Sequence, residues 1–195
     1  MDPDLGLVRD LASEDRDTRE RALSELYERH RGRVVTVAYR VLGSWAAAED
    51  VAQEVFLHLA RGARGFRGDA SFRSWVYRIT VNRAIDAHRR EARRPTVRFP
   101  DQPAAQDLLI GAVGEDDGEA PVDPLQDGEV AQDVQRAIMG LSPKLRAVAV
   151  LRYVEGLTYE ELAEVLDCSM GTVKSRLNRA HGSLARALGH RFKAP

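Results

Sequence analysis

Between Phe99 and Gln135 the chain places ten acidic residues and not one Lys or Arg. Most of this stretch lies in "RPTVRFPDQPAAQDLLIGAVGEDDGEAPVDPLQDGE", which is rich in Pro, Gly and Asp and keeps no hydrophobic period. A segment of that kind buries too little apolar surface to offset its own ordering entropy, so it reads as a linker. It divides the 195 residues into two modules, and these are expected to move independently about it unless a partner holds them. Because the whole chain has a net charge of −1, the two flanking modules together carry about +9.

Both modules read as helical. In the first, Leu23, Leu26, Tyr27, His30, Val34, Val37, Ala38 and Val41 recur at steps of three and four, giving one apolar face that ends at Gly43. A second helix is expected from about Ala46 to Ala63, with Val51, Val55, Phe56 and Leu59 inward. After the glycine-broken "RGARGFRGDAS", a third begins near Ser71 and buries Phe72, Trp75, Val76 and Ile79, with Asn82 or Arg83 on the next turn. Three such stripes close a bundle. The second module opens with Glu129 to Met139, followed by Ser142-Pro143 as a helix start and Gly156 as a stop. Thr158 and Glu161 have the spacing of a capping box, and Ser169 can cap the helix after the break at Asp167 and Cys168. Helix, turn and helix within about two dozen residues is the geometry that projects a helix into a DNA major groove. No alternating pattern supports a sheet and no internal repeat is present, so the fold class is all-α, with two small helical domains.

Composition excludes several functions. The single Cys168 forbids an intrachain disulfide, and the five histidines are scattered without zinc spacing; Glu54 and His58 share a helix face, a pair more often surface than ligand. No nucleophile-base pair, phosphate-binding glycine loop or metal cluster points to an enzyme, and no cofactor is implied. No apolar run approaches the ~20 residues that cross a bilayer. The acidic "MDPDLGLVRD" resembles no signal peptide, so the expected location is the cytoplasm.

The cations have a pattern. From Cys168 to Pro195 there is no acid, whereas Lys174, Arg176, Arg179, Arg186, Arg191 and Lys193 are basic. Basic residues at a helix C-terminus favour its dipole, but these begin near the N-terminal end, where a recognition helix meets base edges and phosphates. From Arg61 to Arg98 eleven Arg stand against Asp69, Asp86 and Glu91, with Phe66, Phe72, Trp75 and Tyr77 interleaved. Those three acids sit too far apart for a two-metal nuclease site. Phe72 and Trp75 fit the core stripe, and Phe66, in the loop, is the better candidate to stack on an unpaired base. Glu49, Asp50, Gln53 and Glu54 form an acidic face that suits either plain solvation or a basic protein partner.

In this order, "EDVAQEVF", "FRGDASFRSWVYRITVNRA" and "GTVKSRL" resemble regions 2 and 4 of bacterial sigma factors. With only a linker between the two regions, the chain is similar to the extracytoplasmic-function (ECF) group of the sigma-70 family. The resemblance divides it into an N-terminal extension (1–20), region 2 (21–95), a flexible acidic linker (96–128) and region 4 (129–195). It implies a non-enzymatic initiation factor that binds core RNA polymerase and directs promoter-specific transcription. Asp50, Gln53 and Glu54 would dock on the polymerase clamp helices. Phe66, Arg67, Gly68, Asp69, Ala70 and Ser71, with Asn82 behind them, would capture a base flipped from the −10 element. Arg78, Arg83 and Arg90 would hold the surrounding phosphates. Lys174, Ser175, Asn178 and Arg179 would read the −35 element, with Arg176 in backbone contact or packing. The linker would thread toward the RNA exit path, and an anti-sigma factor joins polymerase and promoter DNA among the partners the resemblance raises. Where many relatives have proline or another small residue before the recognition helix, this chain has "CSMG", a departure that bears on how deep that helix sits. The rival reading is a stand-alone helix-turn-helix regulator that binds duplex DNA without polymerase.

Overall fold

The computed structural model describes residues 2–61, 66, 71–93 and 129–189. The linker expected at 96–128, the loop residues Arg67 to Ala70, and His190, Arg191 and Lys193 lie outside them. Among the described residues there are eight helices and no strand: α1 (Leu5–Asp10), α2 (Arg16–Leu42), α3 (Trp45–Ala60), α4 (Phe72–Arg93), α5 (Glu129–Met139), α6 (Pro143–Tyr153), α7 (Tyr159–Val165) and α8 (Met170–Leu188).

Local chemistry sets the helix ends. The Asp15 carboxylate accepts the Thr18 N–H at 2.9 Å and opens α2, holding that carboxyl below its usual range, mainly through the bonds from Thr18. Gly43 closes α2 in the left-handed region at φ 76°, its N–H returning to the Tyr39 carbonyl at 2.6 Å. Ser44 then caps α3, so two antiparallel helices are joined almost without a loop. Along α2, Leu26, Val34, Val37, Ala38 and Val41 are fully buried, as the three-and-four spacing predicts. His30 is buried with them because Asp4 supplies its polar partner at 2.9 Å.

Helix α2 is the axis of the molecule. It packs on α1, α3 and α4 and also on α5 and α6. Val8 and Leu11 of the N-terminal segment join Leu26, Val34, Val55, Leu59, Phe72 and Trp75 in one core, so residues 2–11 are an integral part of the first bundle. Each fully buried Leu, Val or Phe there stabilises the fold by roughly 1.5–3 kcal/mol.

The second core crosses between the modules. Val37 and Val41 of α2 and Tyr77, Val81 and Ala84 of α4 bury against the cluster of Ala147, Val148, Leu151, Leu157 and Leu162. Helix α4 thus has two buried faces. Phe72, Trp75 and Val76 turn into the first core, and Tyr77, Val81 and Ala84 turn toward the second module, while Asn82 and Arg83 are exposed. Three polar links span the seam. The Arg146 guanidinium donates to the carbonyls of Val41, Met139 (2.5 Å) and Leu141 (3.0 Å), the Tyr77 hydroxyl donates to Glu155, and Arg73 lies 4.0 Å from Glu161. In the structure the two halves meet on this shared core, to which α2 and α4 contribute from the first module.

Candidate nucleic-acid interface

Helix α3 presents an outward strip on which Asp50, Gln53 and Leu57 follow at three- and four-residue steps, all exposed. Leu57 keeps 56% of its surface in solvent, which with Tyr153 is the most among the large apolar residues that are described. Glu54 sits at the edge of this strip, half-buried, with Arg83 Nη1 at 3.6 Å and Arg90 Nη2 at 3.5 Å. Two of the arginines expected on phosphates are therefore placed beside one of the carboxylates expected on polymerase. Arg83 and Arg90 are seven residues apart and share the side of α4 that faces α3.

Arg78 and Asn82 stand on a different side of α4, exposed and one turn apart. Arg89, eleven residues beyond Arg78, falls on the same line and is also exposed. The spacing of 78, 82 and 89 is a helical one that the sequence displays, although Arg89 stands there beside Arg90 and close to Arg93 and Arg94.

Phe66 closes the surface end of an aromatic group. Its ring lies edge-on to Phe72 at 5.9 Å between centroids and to Trp75 at 5.6 Å. Phe72 is fully buried, and Trp75 nearly so, whereas Phe66 is only partly covered. Ser71 starts α4: its hydroxyl accepts the Ser74 N–H at 3.1 Å and pairs with the Ser74 hydroxyl at 2.9 Å. Of the expected base-capture loop, Phe66 and Ser71 are the described members.

In the second module Thr158 and Glu161 form the full capping box, with bonds of 3.2 and 2.8 Å. Asp167 makes the turn with φ 46°, and the Ser169 hydroxyl accepts the Thr172 N–H at 3.2 Å to start α8. Val173, Leu177 and Ala180 bury one face of α8. Lys174, Ser175, Asn178 and Arg179 stand on the opposite face, all exposed, with Arg179 reaching back to Ser175. Arg176 is half-buried and donates to the Cys168 sulfur at 3.7 Å, across the turn that precedes α8.

Among the described residues no group of His, Cys, Asp and Glu could hold a metal ion, and no helix is long and apolar enough to cross a membrane.

Comparison with known proteins decides the family. The Sigma-70 region 2 family matches residues 26–94 and the Sigma-70, region 4 family matches residues 131–181. The ECF RNA polymerase sigma-E factor of Escherichia coli is 34% identical over 165 residues, covering 85% of each chain. The chain belongs to the ECF group of the sigma-70 family. It is a non-enzymatic sigma factor. The RNA polymerase sigma-H factor of Pseudomonas aeruginosa is 34% identical over 172 residues, 87% of each chain. Among solved structures, CnrH in complex with the cytosolic domain of CnrY resembles this sigma factor with a TM-score of 0.64 and 25% identity, over 96% of this chain and 97% of that one. The sigma factor RpoE bound to the anti-sigma factor NepR from Bartonella quintana shares the fold, with a TM-score of 0.58 and 22% identity over 83% and 92%.

Proposed function

We propose that this sigma factor binds core RNA polymerase through the outward strip of α3 and delivers two DNA-reading surfaces, on α4 and α8, to a promoter. The observation that carries this reading is the coexistence, on one chain, of a basic exposed recognition helix and an exposed strip of Asp50, Gln53 and Leu57 that is neither basic nor covered. A duplex binder acting alone gains nothing from that strip, since phosphates repel the Asp50 carboxylate and leave Leu57 uncovered. On the strip Asp50 and Gln53 meet a basic helical partner, with Glu54 at its edge. Helix α8 enters the −35 major groove with Lys174, Ser175, Asn178 and Arg179, cations on phosphate and amide or hydroxyl groups on base edges.

At the −10 element Phe66 stacks on an unpaired base and Asn82 offers its amide, while Arg78 and Arg89 line the strand. Arg83 and Arg90 complete the phosphate set once they leave Glu54. Exposed ion pairs of that kind contribute only about 0–1 kcal/mol, whereas each neutralised phosphate releases a counterion, so exchange toward DNA is favourable. The work is done in the cytoplasm, where polymerase and promoter are, and an anti-sigma factor that covers both DNA-reading faces is a natural regulator of this chain.

Run-off transcription by purified core polymerase on a genomic promoter library, with and without the protein, tests the proposal. Protein-dependent transcripts that share two upstream boxes are expected. Tight duplex binding by the protein alone, with no transcript, would instead establish a stand-alone regulator.

A further inference from the structure

The N-terminal residues lie outside both matched families, yet they touch the group on which the −10 reading depends. The Asp2 carboxylate accepts the Phe72 N–H at 2.5 Å, at the first turn of α4, and with its other oxygen accepts the Asp4 N–H at 2.9 Å. The buried Asp4 carboxylate accepts from Arg29 at 2.9 Å and meets His30 Nε2 at 2.9 Å. The His30 ring in turn stands edge-on to Phe72 at 5.3 Å, and Phe72 supports Phe66. Val8 and Leu11 bind the same short helix into the core beneath these contacts.

We propose that the N-terminal segment Asp2–Leu11 is a positioning element of the −10 site. Asp2 fixes the first turn of α4, Asp4 fixes the His30 ring, and both meet at Phe72, which sets the plane and height of Phe66. A ring that must stack on a flipped base needs its orientation set before the base arrives, because ordering it then would subtract from the binding energy that offsets base extrusion. Anchoring is required here because Phe66 is only partly buried and the helix end beside it carries N–H groups without intrahelical acceptors. Both aspartates have their partners within the chain. They act through Phe72.

This inference rests on the reading of Phe66 as the base-capturing ring, and the experiment separates the two. Holoenzyme reconstituted from full-length variants is assayed on a promoter recovered from the run-off library, with a fluorescent base analogue in the upstream strand of the −10 box reporting opening. Core-polymerase affinity is measured in parallel. Asp2→Ala is expected to slow opening about tenfold, the scale of one lost charge-assisted hydrogen bond, with polymerase affinity unchanged. Asp2→Asn, which keeps an acceptor oxygen, is expected to recover opening to within about twofold. Combined with Phe66→Ala, the Asp2→Ala change is expected to add nothing further, since the two act as one unit. Normal opening by Asp2→Ala beside defective opening by Phe66→Ala would overturn the positioning role alone. Fully additive effects would do the same. Normal opening by Phe66→Ala would remove the base-capture reading and this inference with it. Asp4→Ala unsettles the buried Arg29 and His30 partners, so Asp2, whose loss is local, carries the decision.

Discussion

At the scale of single residues, the side chains that matter are those whose environment contradicts their type. Leu57 is apolar and exposed, on the strip that carries Asp50 and Gln53. An isolated exposed Leu needs no explanation, but one on the strip proposed to dock on polymerase offers burial at no cost to the free protein. Leu57→Ser is expected to leave the melting temperature unchanged and to weaken core-polymerase binding about tenfold, as read by competition against a labelled sigma factor. Arg146 is the reverse case, a cation that is 3% exposed. Burial pulls its guanidinium below the usual arginine range, and three main-chain carbonyls compensate. Arg146→Ala leaves those carbonyls at the seam without their donor and is expected to destabilise the protein by about 3 kcal/mol in urea denaturation. Hydrogen exchange should rise at the C-terminal end of α2 as well as in α6, because Val41 supplies one of the acceptors.

At the scale of elements, turns and caps decide how the reading surfaces are presented. Helix α7 has seven residues, too few to be stable on its own, and it supports α8 through Leu162 and Val165. Its capping box therefore bears directly on the recognition helix. Thr158→Ala is expected to cost about 1 kcal/mol of stability by chemical denaturation and to weaken duplex binding by α8 without altering any DNA-facing residue. The α2–α3 junction is equally specific. Gly43 adopts φ 76°, and a Cβ there would run into the methyl group of Met139 on α5. Gly43→Ala adds backbone strain of about 1–2 kcal/mol, and the flexible end of Met139 can swing away from the new methyl, so its thermal destabilisation should at least match that of Thr158→Ala.

For the molecule as a whole, the seam between the modules makes stability a shared property. Tyr77 is 1% exposed and hydrogen-bonded to Glu155, and burial together with that carboxylate pushes its pKa well above the ordinary value. A group whose folded-state pKa is raised keeps its proton in the native state while the unfolded chain loses it. Stability from this link is thus fully present below about pH 10 and falls as pH rises beyond it. Urea denaturation from pH 8 to pH 11 should show that decline, and Tyr77→Phe should flatten part of it. Below pH 10 the variant should also be less stable, since Glu155 loses its donor. The exposed faces of α8 and of the Arg78–Asn82–Arg89 line both stay in solvent in this arrangement, so the shared core and the surfaces proposed to read DNA occupy different sides of the helices.

Much of this was legible in the residues themselves because it is local. The apolar spacing of α2 and its stop at Gly43, the Thr158–Glu161 box, the Ser169 cap and the exposed basic face of α8 all follow from chemistry within a few positions. Period and capping act through neighbours along the chain, and a single sequence displays them. The tertiary structure decided what depends on contacts between distant positions. It turned Tyr77, Val81 and Ala84 toward a second module, set Arg83 and Arg90 beside Glu54 and left Arg89 in line with Arg78 and Asn82. It also brought Asp2 and Asp4 to Phe72 and His30 across 70 and 26 residues of chain. A helix face shows that it is apolar, but which partner covers it depends on the shape and charge of everything else that competes for the same surface.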